Sequence, residues 1–186
     1  MVPILSLSVP ILLSAVLVFV ASFIIYTVLP IHRNDFRQVP KEDELMDALR
    51  RLGISPGDYL VPHPGSREGM KSPEFVDKMT RGPAAVLTVF PPGPPSMGTS
   101  LSLWFVYCIV VSVIAAYIAG RALGAGAEYL SVFRFAGTTA FVGYALALPQ
   151  NSIWYKRNWG ATTRSMADGL VYGLLTAGAF GWLWPR

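Results

Sequence analysis

His32 and Asp35, three residues apart in "IHRNDF", are the first side chains able to hold a metal or move a proton. His63, in "VPHPGSREG", is the only other histidine. Imidazole nitrogen and carboxylate oxygen are ordinary ligands for zinc or iron. A three-ligand site from His32, Asp35 and His63 needs the chain to fold back, and nothing in the spacing demands that. The plainer reading makes His32 an anchor at a membrane surface and His63 part of a turn. Ser165 and Asp168 in "SMAD" match the [ST]-x-x-[DE] capping box before an apolar run. Ser165 then satisfies an amide at the helix start, Asp168 reaches back, and Arg164 is a nearby partner. The other reading makes Asp168 an ionisable group at membrane depth, the mark of a proton or ion path. Glu128 and Arg134 stand six apart and so do not share a helix face. They either anchor a span near its surface or form a buried pair, with Arg121 a rival partner for Glu128. Cys108, the single cysteine, lies in an apolar run and reads as a buried structural thiol.

Several chemistries lack their motifs. "HPGSREG" sets a serine near a histidine without a nucleophile elbow, and "GRALGAGAEY" is glycine-rich without the GxxxxGK[ST] order of a phosphate cradle. No catalytic residue, bound metal or cofactor is expected. A pI near 9.4 raises the question of nucleic acid. The charges answer it: nine basic and nine acidic residues fall between Pro30 and Met97, and the remaining six and two are scattered elsewhere. Such cations suit a bilayer surface better than a nucleic-acid groove.

The elements that must position these residues are membrane spans. The chain is 53% hydrophobic and 14% charged, against about 25% charged in a soluble domain. Four apolar stretches are long enough to cross a bilayer, for which about 20 residues are needed. They cover about 4–29, 101–119, 132–148 and 167–184, giving a first span in 1–29, a polar segment over 30–100 and a three-span part over 101–186. The first carries no Lys or Arg ahead of its apolar core, which is too long for a cleavable signal. Arg33, Arg37, Lys41, Lys78, Arg81, Lys156, Arg157 and Arg164 lie near span ends on one side. The other side has only Arg121 and Arg186. The positive-inside rule then sets 30–100 and the 149–165 loop in the cytoplasm and both termini outside. Trp154, Lys156, Arg157 and Trp159 at one boundary and Trp182 and Trp184 at the other suit the lipid interface.

The polar segment reads as a small α/β unit. "PKEDELMDALRRLG" has acids first, Leu45, Leu49 and Leu52 on one face, and arginines then Gly53 last. "SPEFVDKMTRG" offers Ser72 as N-cap and Pro73 in the first turn. "DYLVP" and "AAVLTVF" are strand candidates. So small a core is expected to lean on the membrane part. The fold class is therefore mainly α, a four-transmembrane-helix bundle with a two-helix, two-strand insert between spans 1 and 2.

Small residues repeat along three of the spans. The last has Gly169, Gly173, Ala177 and Gly181, the third Ala136, Ala140, Gly143 and Ala147, and the second Ser112, Ala116 and Gly120. Such stripes let backbones approach where no hydrophobic effect drives helices together. They predict a tight three-helix cluster, with the leucine-rich first span at the periphery, or contacts with other copies or subunits.

"DGLVYGLLTAGAFGWLWP", "FRFAG" and "YLVPHPGSREGMKSPEF" together resemble small bacterial integral membrane proteins that have no assigned activity. The resemblance implies a bacterial inner membrane and supplies no cofactor or catalytic residue. Three functions stay open. The first is a non-enzymatic packing or accessory subunit of a membrane assembly, partnered by the bilayer and by copies of itself or a larger complex. The second is an interfacial enzyme or metal or redox accessory using His32, Asp35 and His63. The third is a proton or ion conduit built by an oligomer.

Overall fold

Where apolar residues run unbroken the chain forms long helices. The computed structural model describes residues 1–186 and is mainly helical, at 67% helix with one two-stranded sheet. Three helical stretches are long and apolar enough to cross a membrane: Ile4–Thr27, Met97–Ala122 and Tyr129–Tyr155. The first is a 3-10 turn leading into α1 (Ser8–Thr27). The second is α4 (Met97–Ala122), capped by Ser96, whose Oγ accepts from the Thr99 amide at 3.4 Å. The third comprises α5 (Tyr129–Ala145) and the short α6 (Pro149–Tyr155), restarted by Pro149 at its first position.

The last helix, α7 (Trp159–Trp182), starts well before the expected Ala167. Asn158 is its N-cap, accepting from the Gly160 amide at 2.7 Å. Its polar opening resembles loop in sequence, but the hydroxyls are absorbed locally. Thr162 and Ser152 of α6 share a hydrogen bond at 2.7 Å, and Ser165 Oγ donates to the Ala161 carbonyl. Ser165 and Asp168 are thus interior helix residues and form no capping box.

The chain divides into a helical unit, Met1–Arg37 with Ser96–Arg186, and a polar unit, Gln38–Pro95. Residues 30–37 therefore belong with the helices. In the helical unit α1, α4, α5 and α7 form a ring in which α1 and α5 each touch both α4 and α7. Successive helices run antiparallel, as an up-down-up-down bundle does. The Val2 amide donates to Gly120 O at one end, and Trp104 Nε1 donates to Ser22 Oγ near the other. At the first end the Gly126 amide also donates to Pro185 O.

The first helix is not peripheral. It buries Ser14, Ala15, Val18 and Ser22, and Ser14 Oγ donates to Ser112 Oγ at 3.0 Å. The small residues on that face, set among leucines, let α4 and α7 approach. The glycine stripe of α7 faces α5. A Cβ on Gly169 would lie 2.7 Å from Ala145 Cβ, and one on Gly173 3.1 Å from Gly137 O. Ala177 is the neighbour a Cβ on Gly137 would strike at 2.7 Å, and Gly181 sits under the Tyr129 ring. The facing residues of α5 are therefore Gly137, Phe141 and Ala145. Ala136 and Ala140 are fully buried among α1 and α4 side chains instead. Gly143 meets Val111, while Ala147 lies beyond the end of α5 and is exposed. On α4, Ser112 and Ala116 are fully buried and Gly120 admits the Val2 carbonyl, 2.8 Å from where a Cβ would be.

The polar unit contains α2 (Glu42–Leu52), β1 (Gly57–Val61), α3 (Pro73–Arg81) and β2 (Ala85–Val89). Gly53 ends α2 in the left-handed region (φ +62°), and Ser72 caps α3 by accepting from the Phe75 amide at 3.2 Å. The strands pair antiparallel with Tyr59 opposite Leu87, and Thr88 Oγ1 donates to Asp58 Oδ1 at 2.7 Å. No residue of this unit is fully buried.

Candidate functional site

At the end of the bundle where α1 finishes and α7 begins, four charged or titratable side chains meet. Pro30 starts a 3-10 turn, Pro30–His32, which turns the chain back toward α7. His32 stacks on Tyr26 of α1, ring centroids 4.4 Å apart and nearly parallel. Its Nδ1 lies 2.7 Å from Asp35 Oδ2 and its Nε2 lies 2.9 Å from Asp168 Oδ2. Arg164, one turn before Asp168 on α7, donates to Asp35 Oδ1 through Nε at 2.9 Å and Nη2 at 2.5 Å. The side chains of His32, Asp35 and Asp168 are 9%, 7% and 8% exposed. Arg164 thus pairs with Asp35 and not with Asp168, the partner its position in sequence suggests.

The two carboxylates are not held alike. Burial works against the Asp35 charge, but the hydrogen bonds from His32 and Arg164 outweigh it and hold the carboxyl below its ordinary value. Asp168 has no arginine. Its Oδ2 and His32 Nε2 stand at ion-pair distance, yet neither completes a hydrogen bond of good geometry, so the contact is electrostatic. Both ring nitrogens of His32 face carboxylate oxygens, whereas a neutral imidazole has only one N–H.

Beside Asp168 opens a cavity of about 600 Å³, reached by α1, α4, α5 and α7. Phe19, Phe23, Leu101 and Leu148 give it apolar walls, and Trp104, Tyr144 and Tyr172 an aromatic side. Trp104, Tyr144 and Tyr172 pack edge to face, with centroids 5.4–6.1 Å apart. Four buried polar side-chain atoms lack hydrogen-bond partners: His32 Nε2, Asp168 Oδ2, Tyr144 Oη and Tyr172 Oη. The last three belong to residues lining this one cavity. Its only charged residues are Asp168 and Arg157. A second hollow of about 640 Å³ is lined by Tyr26, His32 and Asp35 and also touches Arg157.

The remaining residues singled out in sequence are placed as follows. His63 lies in the polar unit, its Nδ1 accepting from the Gly65 amide at 3.1 Å. Both ring nitrogens of His32 face carboxylate oxygens, at 2.7 and 2.9 Å, and no group of three His, Cys, Asp or Glu has metal-binding geometry. Glu128 stands at the N-cap position of α5 without a side-chain cap bond, and neither it, Arg121 nor Arg134 forms an ion pair. Arg134 borders a shallow groove with Gly137 and Gly173. Trp154, Trp159 and Trp182 are exposed, and Lys156 Nζ donates to Ile153 O. Trp184 is instead buried, its Nε1 donating to Gly124 O at 2.9 Å, which corrects its reading as a lipid-facing ring. Tyr26, Tyr144 and Tyr172 escaped notice in sequence. The signal available was the four-residue spacing of Arg164, Asp168, Tyr172 and Thr176 along one face of α7.

No protein-family model, curated protein sequence or solved structure matches this chain.

Proposed function

We propose that this chain is a four-span inner-membrane protein that binds an amphipathic molecule inside one end of its bundle. The three long apolar helices support three crossings. α7, at 24 residues, is long enough for a fourth. Gly169, Gly173, Thr162, Thr176 and Asp168 lower its hydropathy, but they are buried in the bundle, where polar groups in membrane helices belong. The cation asymmetry sets both termini outside and Gln38–Pro95 on the cytoplasmic side. The polar cluster then lies near the cytoplasmic interface, about nine residues or 14 Å along α7.

The observation that carries the reading is the cavity itself, apolar for most of its wall, with Asp168 and Arg157 as its only charged lining residues. Sites for small molecules have this mix of greasy wall and few polar residues. A packing subunit was motivated by the small-residue stripe of α7, but that stripe is used on α5 within the chain. A conduit needs a line of polar groups through the bundle, and the ion-paired cluster lies at one end.

The test is native mass spectrometry of protein taken from its own membrane in polymer discs. A retained organic molecule is expected, displaced in Leu101→Trp, which fills the cavity while leaving helicity and the thermal midpoint close to those of the parent. A bare protein mass in both, with the fold intact, would overturn the reading.

A further inference from the structure

We infer that the amphipathic molecule of this bundle is an anionic phospholipid, its phosphate held by Arg33 and Arg157 and an acyl chain lodged in the adjoining apolar cavity. This rests on the amphipathic-ligand reading above and adds the chemistry and the seat of the head. Besides His32, the charged residues lining the hollow of about 640 Å³ are Arg33, Asp35 and Arg157. Asp35 is already answered, its Oδ1 by Arg164 and its Oδ2 by His32. Arg33 and Arg157 are not, since neither forms an ion pair. The hollow therefore presents two cations without partners and no anion without one. That imbalance selects a negative head over a zwitterionic one.

The backbone fixes where both arginines stand. The 3-10 turn Pro30–His32 ends on Arg33, whose amide donates to Pro30 O at 3.3 Å. Lys156 closes α6 in the left-handed region (φ +57°), and the Arg157 amide donates back to Asn151 O at 3.2 Å. Two separate connections thus bring a guanidinium each to one hollow. A guanidinium suits phosphate in geometry as well as charge, and basic pockets between membrane helices take anionic head groups. A lipid, rather than a free phosphate, follows from the second cavity. Tyr26, Thr27 and Arg157 line both hollows, so the two share a wall at the proposed phosphate. Phe19, Phe23, Leu101 and Leu148 line the apolar one, about 600 Å³ that a free phosphate would leave unfilled.

The experiment places the full chain in nanodiscs of phosphatidylglycerol and phosphatidylcholine in equal amounts, and reads retained lipid by native mass spectrometry. A second arm adds soluble glycerol phosphate to protein in phosphatidylcholine discs and reads the thermal midpoint. Phosphatidylglycerol is expected to be retained about tenfold better than phosphatidylcholine, whose trimethylammonium would stand beside two arginines. Arg33→Gln and Arg157→Gln should each lower that ratio about threefold, and the double substitution should bring it close to one. Neither residue is ion-paired, so the midpoint in phosphatidylcholine should not move. Lys156→Gln removes the neighbouring cation, which lines neither hollow, and should leave the ratio unchanged. Glycerol phosphate should not shift the midpoint, and Leu101→Trp should lower retention of both lipids.

Equal retention of the two lipids by the parent, both displaced in Leu101→Trp, would overturn the anionic assignment while leaving the amphipathic site standing. A ratio lowered as much by Lys156→Gln as by Arg157→Gln would overturn the seat of the head. Stabilisation by glycerol phosphate equal to that by phosphatidylglycerol would overturn the lipid as its source. Loss of every ligand, with Leu101→Trp indistinguishable from the parent, would overturn both readings together.

Discussion

Arg164 and His32 are what allow Asp35 to stay ionised while almost fully enclosed. The groups facing Asp35 are those two and, across His32, Asp168 and Tyr26. Its carboxyl is held below the ordinary value of 3.8, so the folded protein binds that proton less readily than the unfolded chain. The stability this contributes is complete above the unfolded value and is lost as pH falls through the folded one. A thermal midpoint in mild detergent is therefore expected to drop as pH is lowered below about 4, and Asp35→Asn should remove this part of the drop. Arg164→Gln should cost about 2 kcal/mol at neutral pH. That is less than the ~3–5 kcal/mol for breaking a fully enclosed pair, because Arg164 is one-third exposed. A midpoint with the same acid dependence in parent and Asp35→Asn would remove Asp35 from this account. Each member of the cluster was visible in sequence as a single candidate. Their meeting was not, since Asp35 and Arg164 are 129 residues apart and no local spacing encodes which helix ends share a corner of a bundle.

Helix contacts show the same division between what is local and what is not. The apolar runs, the Ser72 cap and the strands of the polar unit depend on neighbours within a few residues, and they were legible. The direction of a small-residue stripe was legible only in part. Gly169, Gly173, Ala177 and Gly181 lie on one face by spacing alone, but the groove they enter is made by Gly137, Phe141 and Ala145. The sequence of α5 contains two small faces, and the Ala136–Ala140 face turned out to serve α1 and α4. Two single-methyl substitutions on α7 separate packing from composition. Gly169→Ala places a Cβ 2.7 Å from Ala145 Cβ and should destabilise the bundle by about 2 kcal/mol, as overpacking does. Gly178→Ala meets nothing within 4 Å and should be neutral or stabilising by up to about 1 kcal/mol. Thermal unfolding of both in the same detergent is the measurement. Equal effects would mean that α5 and α7 do not approach as described.

At the scale of the whole chain, the two units differ in what holds them. The helical unit encloses side chains as large as Phe180 and Val132 completely. The polar unit has two amphipathic helices and a two-stranded antiparallel sheet, yet Leu45, Leu52, Val76 and Phe90 stay exposed and nothing in Gln38–Pro95 is fully buried. Its gain from apolar burial is correspondingly small, at about 25 cal/mol per Å² removed from water, against about 1–2 kcal/mol of backbone entropy for every residue ordered. Ion pairs such as Lys41–Glu44 and Lys78–Glu74 are exposed and add little. The excised segment 38–95 is therefore expected to show helical signal that fades gradually on heating, without a cooperative transition. The full chain in bilayer discs should keep its main transition after proteolysis within that segment, because the helices are joined through contacts such as Val2–Gly120, Ser14–Ser112 and Gly126–Pro185. Calorimetry of the two samples decides the matter. A sharp transition in the excised segment would show that its sheet and helices enclose a core of their own, and the unit would have to be counted as an independent domain.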